Sequence, residues 1–273
     1  MAGALALGLL AFTPDSGAVG QAGAARPWLG VELEQQRAPA AGAEAKGVRV
    51  RHTVRSSPAW NAGVRDGDVI VRIGDVKPSR PDEVIHEVAG HAPGSTVKVV
   101  LLRAGAEVPV TATLAMLPEG EEMLRLDKVG LQAPNWKGLS AVSGPLPADI
   151  GELRGRVVVL DFWASWCMAC RMAVPKLTSW KSKFGAQGLS VIGITDDPVA
   201  EASQGVTSFG MRYASVGTDP SSATQQAFGV RALPTVFVID KRGVIRDLSV
   251  GFDPQKEAQM EALLQRLLAE PNP

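Results

Sequence analysis

Two cysteines three positions apart carry the most reactive chemistry in this sequence. They are Cys167 and Cys170, the only cysteines of the chain, in the segment Trp166-Cys167-Met168-Ala169-Cys170. If a helix begins at the first cysteine, the second lies one turn further on, within disulfide reach, and the positive end of the helix dipole stabilises a thiolate on the first. Such a pair is suited to thiol-disulfide exchange, in which Cys167 attacks a disulfide and Cys170 resolves the mixed disulfide.

The alternatives for this pair are two structural thiols or half of a zinc site. A structural zinc site needs four Cys or His ligands, and the sequence has no second Cys-x-x-Cys and no His pair to complete the set. The histidines, His52, His86 and His91, are not arranged at ligand spacing with a cysteine or an acidic cluster, and we expect them at the surface. We therefore predict no metal, and no cofactor apart from the redox-active pair itself.

An apolar run precedes the cysteines and predicts the strand that positions them. Residues 157–163 read Val-Val-Val-Leu-Asp-Phe-Trp, and a helix is predicted from residue 167 to about 184. Asp161 is the one polar residue of that run. A carboxyl group buried there would have a raised pKa and could accept the proton of Cys170 as Cys170 becomes the resolving nucleophile.

The pattern of predicted elements divides the chain into two parts. From residue 129 onward, strands alternate with helices, which is typical of a three-layer α/β domain. The predicted strands cover 157–163, 189–195, 235–239 and 244–250, and the predicted helices cover 167–184, 200–209, 222–228 and 255–268. The first part has short β-rich runs between Gly and Pro turns and one helix at 81–88, which predicts a mostly-β domain.

A charged, turn-forming segment, Pro-Glu-Gly-Glu-Glu at 118–122, separates the two parts. Because 273 residues exceed the usual size of one domain, we predict two domains, at 27–117 and 129–273, joined by a linker at 118–128.

The first 26 residues resemble a secretory signal segment. A short apolar run at 2–12 is followed by small residues that include Ala22-Gly23-Ala24, which fits a cleavage site, although no basic residue precedes Arg26. The run is shorter than the ~20 residues of a spanning helix. We expect export to the bacterial cell envelope or periplasm, with any membrane anchor truncated at the N-terminus; the alternative is an unstructured leader on a cytoplasmic protein.

The composition excludes several partners. Lys and Arg total 28 and Asp and Glu total 28, so the chain has no cationic surplus for nucleic acid or anionic lipid. With 45% hydrophobic and 21% charged residues, the chain is in the range of folded globular proteins.

The first domain resembles a PDZ domain of the bacterial HtrA-like type. The resemblance rests on these segments: Trp28-Leu29-Gly30-Val31, Ser57-Pro58-Ala59 with Ala62-Gly63-Val64, and above all Gly67-Asp68-Val69-Ile70 leading to Ile73-Gly74-Asp75-Val76. It implies that a peptide or C-terminal tail adds a strand to an open sheet edge. The backbone amides of Leu29, Gly30 and Val31 would then bind the terminal carboxylate, and Val84 and Val88 would line the groove. Equally, Val84 and Val88 could simply face the core.

The second domain resembles the thioredoxin fold, and more narrowly the TlpA-like envelope thiol:disulfide oxidoreductases. The resemblance to the thioredoxin fold rests on Asp161-Phe162-Trp163-Ala164-Ser165-Trp166-Cys167 and Ala232-Leu233-Pro234-Thr235-Val236. The narrower resemblance rests on Leu153-Arg154-Gly155-Arg156-Val157-Val158 and Phe228-Gly229-Val230-Arg231. It implies a central mixed sheet flanked by helices and a cis peptide bond before Pro234, which would face the disulfide. It also implies that Trp166, Leu233 and Thr235 contact an extended protein substrate, and that a second thiol protein supplies electrons.

Asp161 indicates the direction of the reaction. TlpA-like proteins often carry Asn there, whereas thioredoxin and the reducing domain of the DsbD transmembrane reductase carry Asp; Met168-Ala169 also lacks the His of strong oxidants. We therefore expect a reductase of protein disulfides, with the PDZ-like domain raising the local concentration of its clients. A thiol peroxidase, or a PDZ scaffold with a redox-sensing second domain, are the alternatives.

Overall fold

The computed structural model describes residues 26–34, 47–136, 138–213 and 215–273, so the predicted leader lies outside the described residues except for Arg26. The strands are β1 (Pro27–Trp28), β2 (Val31–Leu33), β3 (Val48–Thr53), β4 (Val69–Ile73), β5 (Thr96–Arg103), β6 (Ala106–Thr113), β7 (Ala115–Met116), β8 (Ser140–Ser143), β9 (Val157–Phe162), β10 (Leu189–Thr195), β11 (Ser215–Thr218), β12 (Thr235–Ile239) and β13 (Ile245–Val250). The α-helices are α1 (Pro58–Asn61), α2 (Pro81–Ala89), α3 (Gly120–Lys128), α4 (Met168–Phe184), α5 (Val199–Phe209), α6 (Ala223–Phe228) and α7 (Pro254–Ala269). Two short 3-10 helices occupy Ile150–Leu153 and Gly185–Gln187.

The N-terminal part is the predicted mostly-β domain. Its five-stranded sheet has the order β2-β3-β4-β5-β6, with every neighbouring pair antiparallel. On β5, Val97, Val99 and Leu101 are buried, because every second side chain of a strand points to the same face. Val84 and Val88 of α2 pack in the same core as these β5 side chains. The PDZ-like fold is therefore confirmed.

The C-terminal part is a three-layer α/β domain around a mixed sheet of order β13-β12-β9-β10-β11-β8. β9, β10 and β11 run parallel, and β8 and β12 pair antiparallel with their neighbours. All six residues of β9 are buried because helices cover both faces of the sheet, which explains the continuous apolar run. α4 and α7 pack on one face, and α3 and α6 on the other. The predicted thioredoxin-like fold is confirmed.

The segment predicted as a linker contains helix α3, which the sequence analysis did not anticipate. Glu121 accepts hydrogen bonds from the backbone amide of Val250 on β13 at 2.9 Å and from Lys256 Nζ on α7 at 2.7 Å. Leu124 packs against the core on that side of the sheet. Residues 120–128 therefore pack on the C-terminal domain.

Ion pairs connect the two domains. His52 Nε2 on β3 lies 2.8 Å from Asp127 Oδ1 on α3, and its Nδ1 lies 3.2 Å from Asp66 Oδ2. The Glu32 carboxylate on β2 also accepts a hydrogen bond from Arg231. His52 is thus a contact between domains, and its side chain is one-third exposed. Within the described ranges, no cluster of three or more His, Cys, Asp or Glu side chains is arranged to hold a metal ion.

None of the helices in the described part of the chain is both long enough and apolar enough to cross a bilayer.

Candidate active site and peptide groove

The cysteine pair lies where β9 delivers the chain to the N-terminus of α4. Cys167 is the N-cap residue of this helix and forms a disulfide with Cys170, and the backbone amide of Cys170 points at Cys167 Sγ at 3.1 Å. This sulfur takes the place of the side-chain oxygen that normally caps a helix. When the disulfide is reduced, the same amide and the helix dipole favour a thiolate on Cys167.

The surroundings of the disulfide are apolar and exposed. Cys167 itself is 6% exposed, whereas Trp166 and Met168 are 74% and 68% exposed on either side of it. Met172, one turn further along α4, is 53% exposed. Trp166 was predicted as a substrate contact, whereas the two methionines were not, although their helical spacing of four residues was an available signal. Together these side chains form an apolar surface beside the reactive sulfur.

The segment 232–235 lies at the same end of the sheet. The peptide bond between Leu233 and Pro234 is cis, as the resemblance implied. Because Thr235 pairs with Phe162, the last residue of β9, this loop approaches the start of α4. Leu233 is half-buried and packs against the core that contains Cys170.

Thr235 has a different environment from the one expected of a substrate contact. Its side chain is fully buried, and its hydroxyl donates a hydrogen bond to the carbonyl of Ala232 at 2.7 Å. The side chain of Thr235 therefore stabilises the loop at 232–235. Any contact of Thr235 with a substrate would have to involve its backbone.

Asp161 lies on β9 between Gly193 of β10 and Val236 of β12. By strand alternation, its side chain lies on the same face as Val159 and Trp163, which pack in one core with the residues of α4. It is 2% exposed, and this burial raises the pKa of its carboxyl group from 3.8 to about 7. The group can therefore gain or lose a proton near neutral pH.

Tyr213 is a further residue of the site that was not predicted from the sequence. Its hydroxyl donates a hydrogen bond to Asp161 Oδ2 at 2.8 Å, and its side chain is 3% exposed. Burial and the neighbouring carboxylate raise the pKa of Tyr213 well above its ordinary value. A lone tyrosine 52 positions from Asp161 gives no pattern from which this contact could be predicted.

The N-terminal domain has an apolar groove between β2 and α2 with a volume of about 490 Å³. Its lining contains all five predicted peptide-binding residues, Leu29, Gly30, Val31, Val84 and Val88, together with Ile85, which is 63% exposed. Val84 and Val88 are also buried in the domain core, so both interpretations of these residues hold at once.

The backbone of Gly30 shows why the groove needs glycine there. Its φ is +85°, and a Cβ atom at this position would lie 2.2 Å from Cβ of Ser57. Any side chain would therefore clash and strain the backbone.

Comparisons with known proteins agree with the two-domain architecture. The Redoxin family model matches residues 128–264, and the PDZ domain model matches residues 27–114.

The chain is also similar to curated proteins over 150 to 170 residues. The chain is 30% identical to Protein DipZ of Mycobacterium bovis over 150 residues, which cover 52% of this chain and 21% of DipZ. It is 26% identical over 170 residues to the thiol-disulfide oxidoreductase ResA of Bacillus thuringiensis, covering 62% of this chain and 93% of ResA. A solved structure of a DsbE-type thiol:disulfide interchange protein from Chlorobium tepidum is 30% identical, with a TM-score of 0.47, and covers 52% of this chain and 99% of that one.

Proposed function

The chain belongs to the Redoxin family, and on that premise we propose that it is a thiol-disulfide oxidoreductase that reduces disulfides in client proteins. The observation that carries the proposal is the disulfide between Cys167, at the N-cap of α4, and Cys170, beside an exposed apolar surface. The names of relatives such as ResA support the same activity.

The reaction begins with the reduced pair. The Cys167 thiolate attacks a client disulfide, a mixed disulfide forms, and one client sulfur leaves and takes a proton. Cys170 then gives its proton to the Asp161 carboxylate and attacks Cys167 Sγ. The second client sulfur leaves as a thiolate, two electrons have passed to the client, and the pair ends as the disulfide seen in the structure. A dithiol protein of the same compartment returns the pair to its reduced form.

Asp161 supports the reducing direction. A buried carboxyl group with a pKa of about 7 can accept a proton at neutral pH. The dipeptide Met168-Ala169 has no cationic side chain to stabilise the thiolate beyond what the helix provides.

The equilibrium of the pair with glutathione and dithiothreitol buffers tests the direction. We expect a reduction potential near that of thioredoxin, about −270 mV, and a value near −120 mV would mark an oxidant instead. Cys170→Ser, which cannot resolve the mixed disulfide, should trap client proteins from an envelope extract, whereas Cys167→Ser should trap none. Equal trapping by both variants would contradict the assignment of Cys167 as the nucleophile.

We further propose that the PDZ domain recruits these clients through apolar C-terminal or extended segments. The apolar groove of about 490 Å³ supports this role, as does β2, which is an edge strand of its sheet among the described residues. In such an arrangement, main-chain pairing gives affinity and the side-chain pocket gives selectivity. Recruitment raises the client concentration near the disulfide without changing the chemistry.

Ile85→Asp tests this recruitment, because it places a charge in the groove at an exposed position outside the core. Combined with Cys170→Ser, it should reduce the number and yield of trapped clients. His86→Asp, on the same helix and exposed but not lining the groove, is the matched control. An identical set of trapped clients in both variants would rule out recruitment by the groove.

We place the protein in the cell envelope, where the signal-like leader at 1–26 would deliver it and where disulfides persist in clients. Fractionation of cells that express the full chain tests this location.

A further inference from the structure

Tyr213 stands out among the buried polar groups that the reaction scheme does not yet use. Its hydroxyl donates to Asp161 Oδ2 at 2.8 Å, and both side chains are almost completely buried. The other carboxyl oxygen, Asp161 Oδ1, has no hydrogen-bond partner among the described residues. The carboxyl group thus has one oxygen held by the tyrosine and one oxygen available to take a proton.

The fold holds the tyrosine ring in this position through Gly193. Gly193 is the β10 partner of Asp161, and a Cβ atom there would lie 3.1 Å from Tyr213 Cε2 and 3.3 Å from its hydroxyl oxygen. The ring therefore rests directly on the glycine backbone, in the space that any other residue would fill. The same Cβ atom would lie 3.1 Å from Trp163 Nε1, so a second buried ring borders the site.

No charged side chain in the described part of the chain contributes to the proton affinity of Asp161. Two effects set the pKa of Asp161: burial favours the neutral acid and raises the pKa, and the hydrogen bond from the Tyr213 hydroxyl favours the carboxylate and lowers it. The flanking partners in the sheet, Gly193 and Val236, carry no titratable group, and the cysteines of α4 are joined as a disulfide. One hydrogen bond thus opposes the whole effect of burial.

We propose that Tyr213 is a positioning residue that stabilises the carboxylate form of Asp161 and so keeps it able to accept the Cys170 proton in the resolving step. This inference rests on the proposed thiol-disulfide exchange. Without the hydroxyl, Asp161 holds its proton to higher pH. A hydrogen bond to a charged group is strong enough to move the protonation midpoint of Asp161 by about one pH unit.

The test is a stopped-flow reaction of the reduced protein with one equivalent of a dithiobis(nitrobenzoate) disulfide. Attack by Cys167 releases the first thionitrobenzoate, and resolution by Cys170 releases the second, so the two steps appear as separate phases. In Tyr213→Phe, the second phase should be about tenfold slower at pH 6 and nearly unchanged at pH 9, because Asp161 is ionised at pH 9 in either form. The first phase should not change.

Two controls separate this role from a structural one. Tyr213→Phe in an Asp161→Asn background should have no further effect on the second phase, since the interaction partner is gone. Thr218→Val removes another buried hydroxyl of this sheet, one that donates to the carbonyl of Asp197, and should leave both phases within about twofold of the parent. A second phase that is unchanged at pH 6, or slowed equally at both pH values, would overturn the proposal.

The infrared signal of the protonated Asp161 carboxyl gives a readout that does not depend on activity. Its titration midpoint in the reduced protein should rise by about one pH unit in Tyr213→Phe. The same direction is expected in Gly193→Ala, which displaces the ring and provides a second variant should Tyr213→Phe not fold. If the Asp161 midpoint moves in Tyr213→Phe but the protein reduces no client disulfide, the inference about Tyr213 stands and the proposed function fails. If thiol-disulfide exchange requires Asp161 but the Asp161 midpoint does not move, the proposed function stands and the inference about Tyr213 fails.

Discussion

At the scale of single residues, the ionised form of Asp161 destabilises the folded protein. Its pKa is about 7 in the folded protein and 3.8 in its ordinary state, so the folded state binds the proton more tightly between these values. Stability therefore falls as the pH rises from about 4 to 7, and the accumulated cost is roughly 4 kcal/mol at pH 8. Asp161→Asn should remove most of this cost and raise the stability of the oxidised protein at pH 8.

The difference between Asp161→Asn and the parent should vanish near pH 4, where both side chains are neutral. Urea unfolding of the oxidised proteins at pH 4 and pH 8 measures it. Glu201→Gln, an exposed acid in the first turn of α5, is the control and should change the stability by less than about 1 kcal/mol at either pH. An Asn variant that is less stable than the parent at pH 8 would contradict the assigned burial cost.

The cysteine pair and the buried carboxyl group were predictable from the sequence because their signal is local. The spacing of Cys167 and Cys170 predicts a redox pair, and Asp161 stands out as the one polar residue in an apolar run. Tyr213 has no such signal, because its contact with Asp161 depends on the pairing of Asp161 with Gly193 and on the absence of a side chain there. Register and close packing between distant segments are set by the tertiary fold and leave little trace in local composition.

At the scale of elements, α3 is stabilised more by its side-chain contacts with the C-terminal domain than by a local helix-forming pattern. Glu121 accepts from the Val250 amide and Lys256 and also pairs with Arg125. Glu121→Ala leaves a backbone donor and two cations without this partner, and should cost about 1–3 kcal/mol of stability. Glu122→Ala, its exposed neighbour in the same turn, should cost less than about 0.5 kcal/mol. Denaturant unfolding measures both, and equal losses would show that α3 is not docked through Glu121.

The elements that were missed share this dependence on distant partners. α3 begins with Gly120 and a charge-rich turn, which locally favour a linker, although acids at its start and Lys128 at its end suit the helix dipole. β8 (Ser-Ala-Val-Ser) and β11 (Ser-Val-Gly-Thr) lack an apolar run. β11 forms a strand by pairing with β10, and β8 by pairing with β11. α2 and α4 were predicted because their apolar periodicity matches their burial, and β9 was predicted because its continuous apolar run matches a strand buried on both faces.

At the scale of the whole molecule, two ion pairs differ in what they contribute. Arg231 and Glu32 join the strand beside the apolar groove to the loop that precedes Pro234, but the Arg231 side chain is 74% exposed, and such pairs are worth at most about 1 kcal/mol. His52 and Asp127 are more sheltered, with side chains 33% and 12% exposed. The contact between His52 and Asp127 should therefore dominate the pH dependence of domain docking.

The hydrogen bond with Asp127, helped by Asp66, raises the pKa of His52 from 6.5 to about 9. Because the docked form binds the proton more tightly, the contribution of this pair to docking is complete below about pH 6.5 and is lost as the pH rises through about 9. Nuclear magnetic resonance titration of the His52 ring should give a midpoint near 9, and Asp127→Asn should lower it toward 6.5. A His52 midpoint that Asp127→Asn leaves unchanged would mean that the two domains do not meet at this contact in solution.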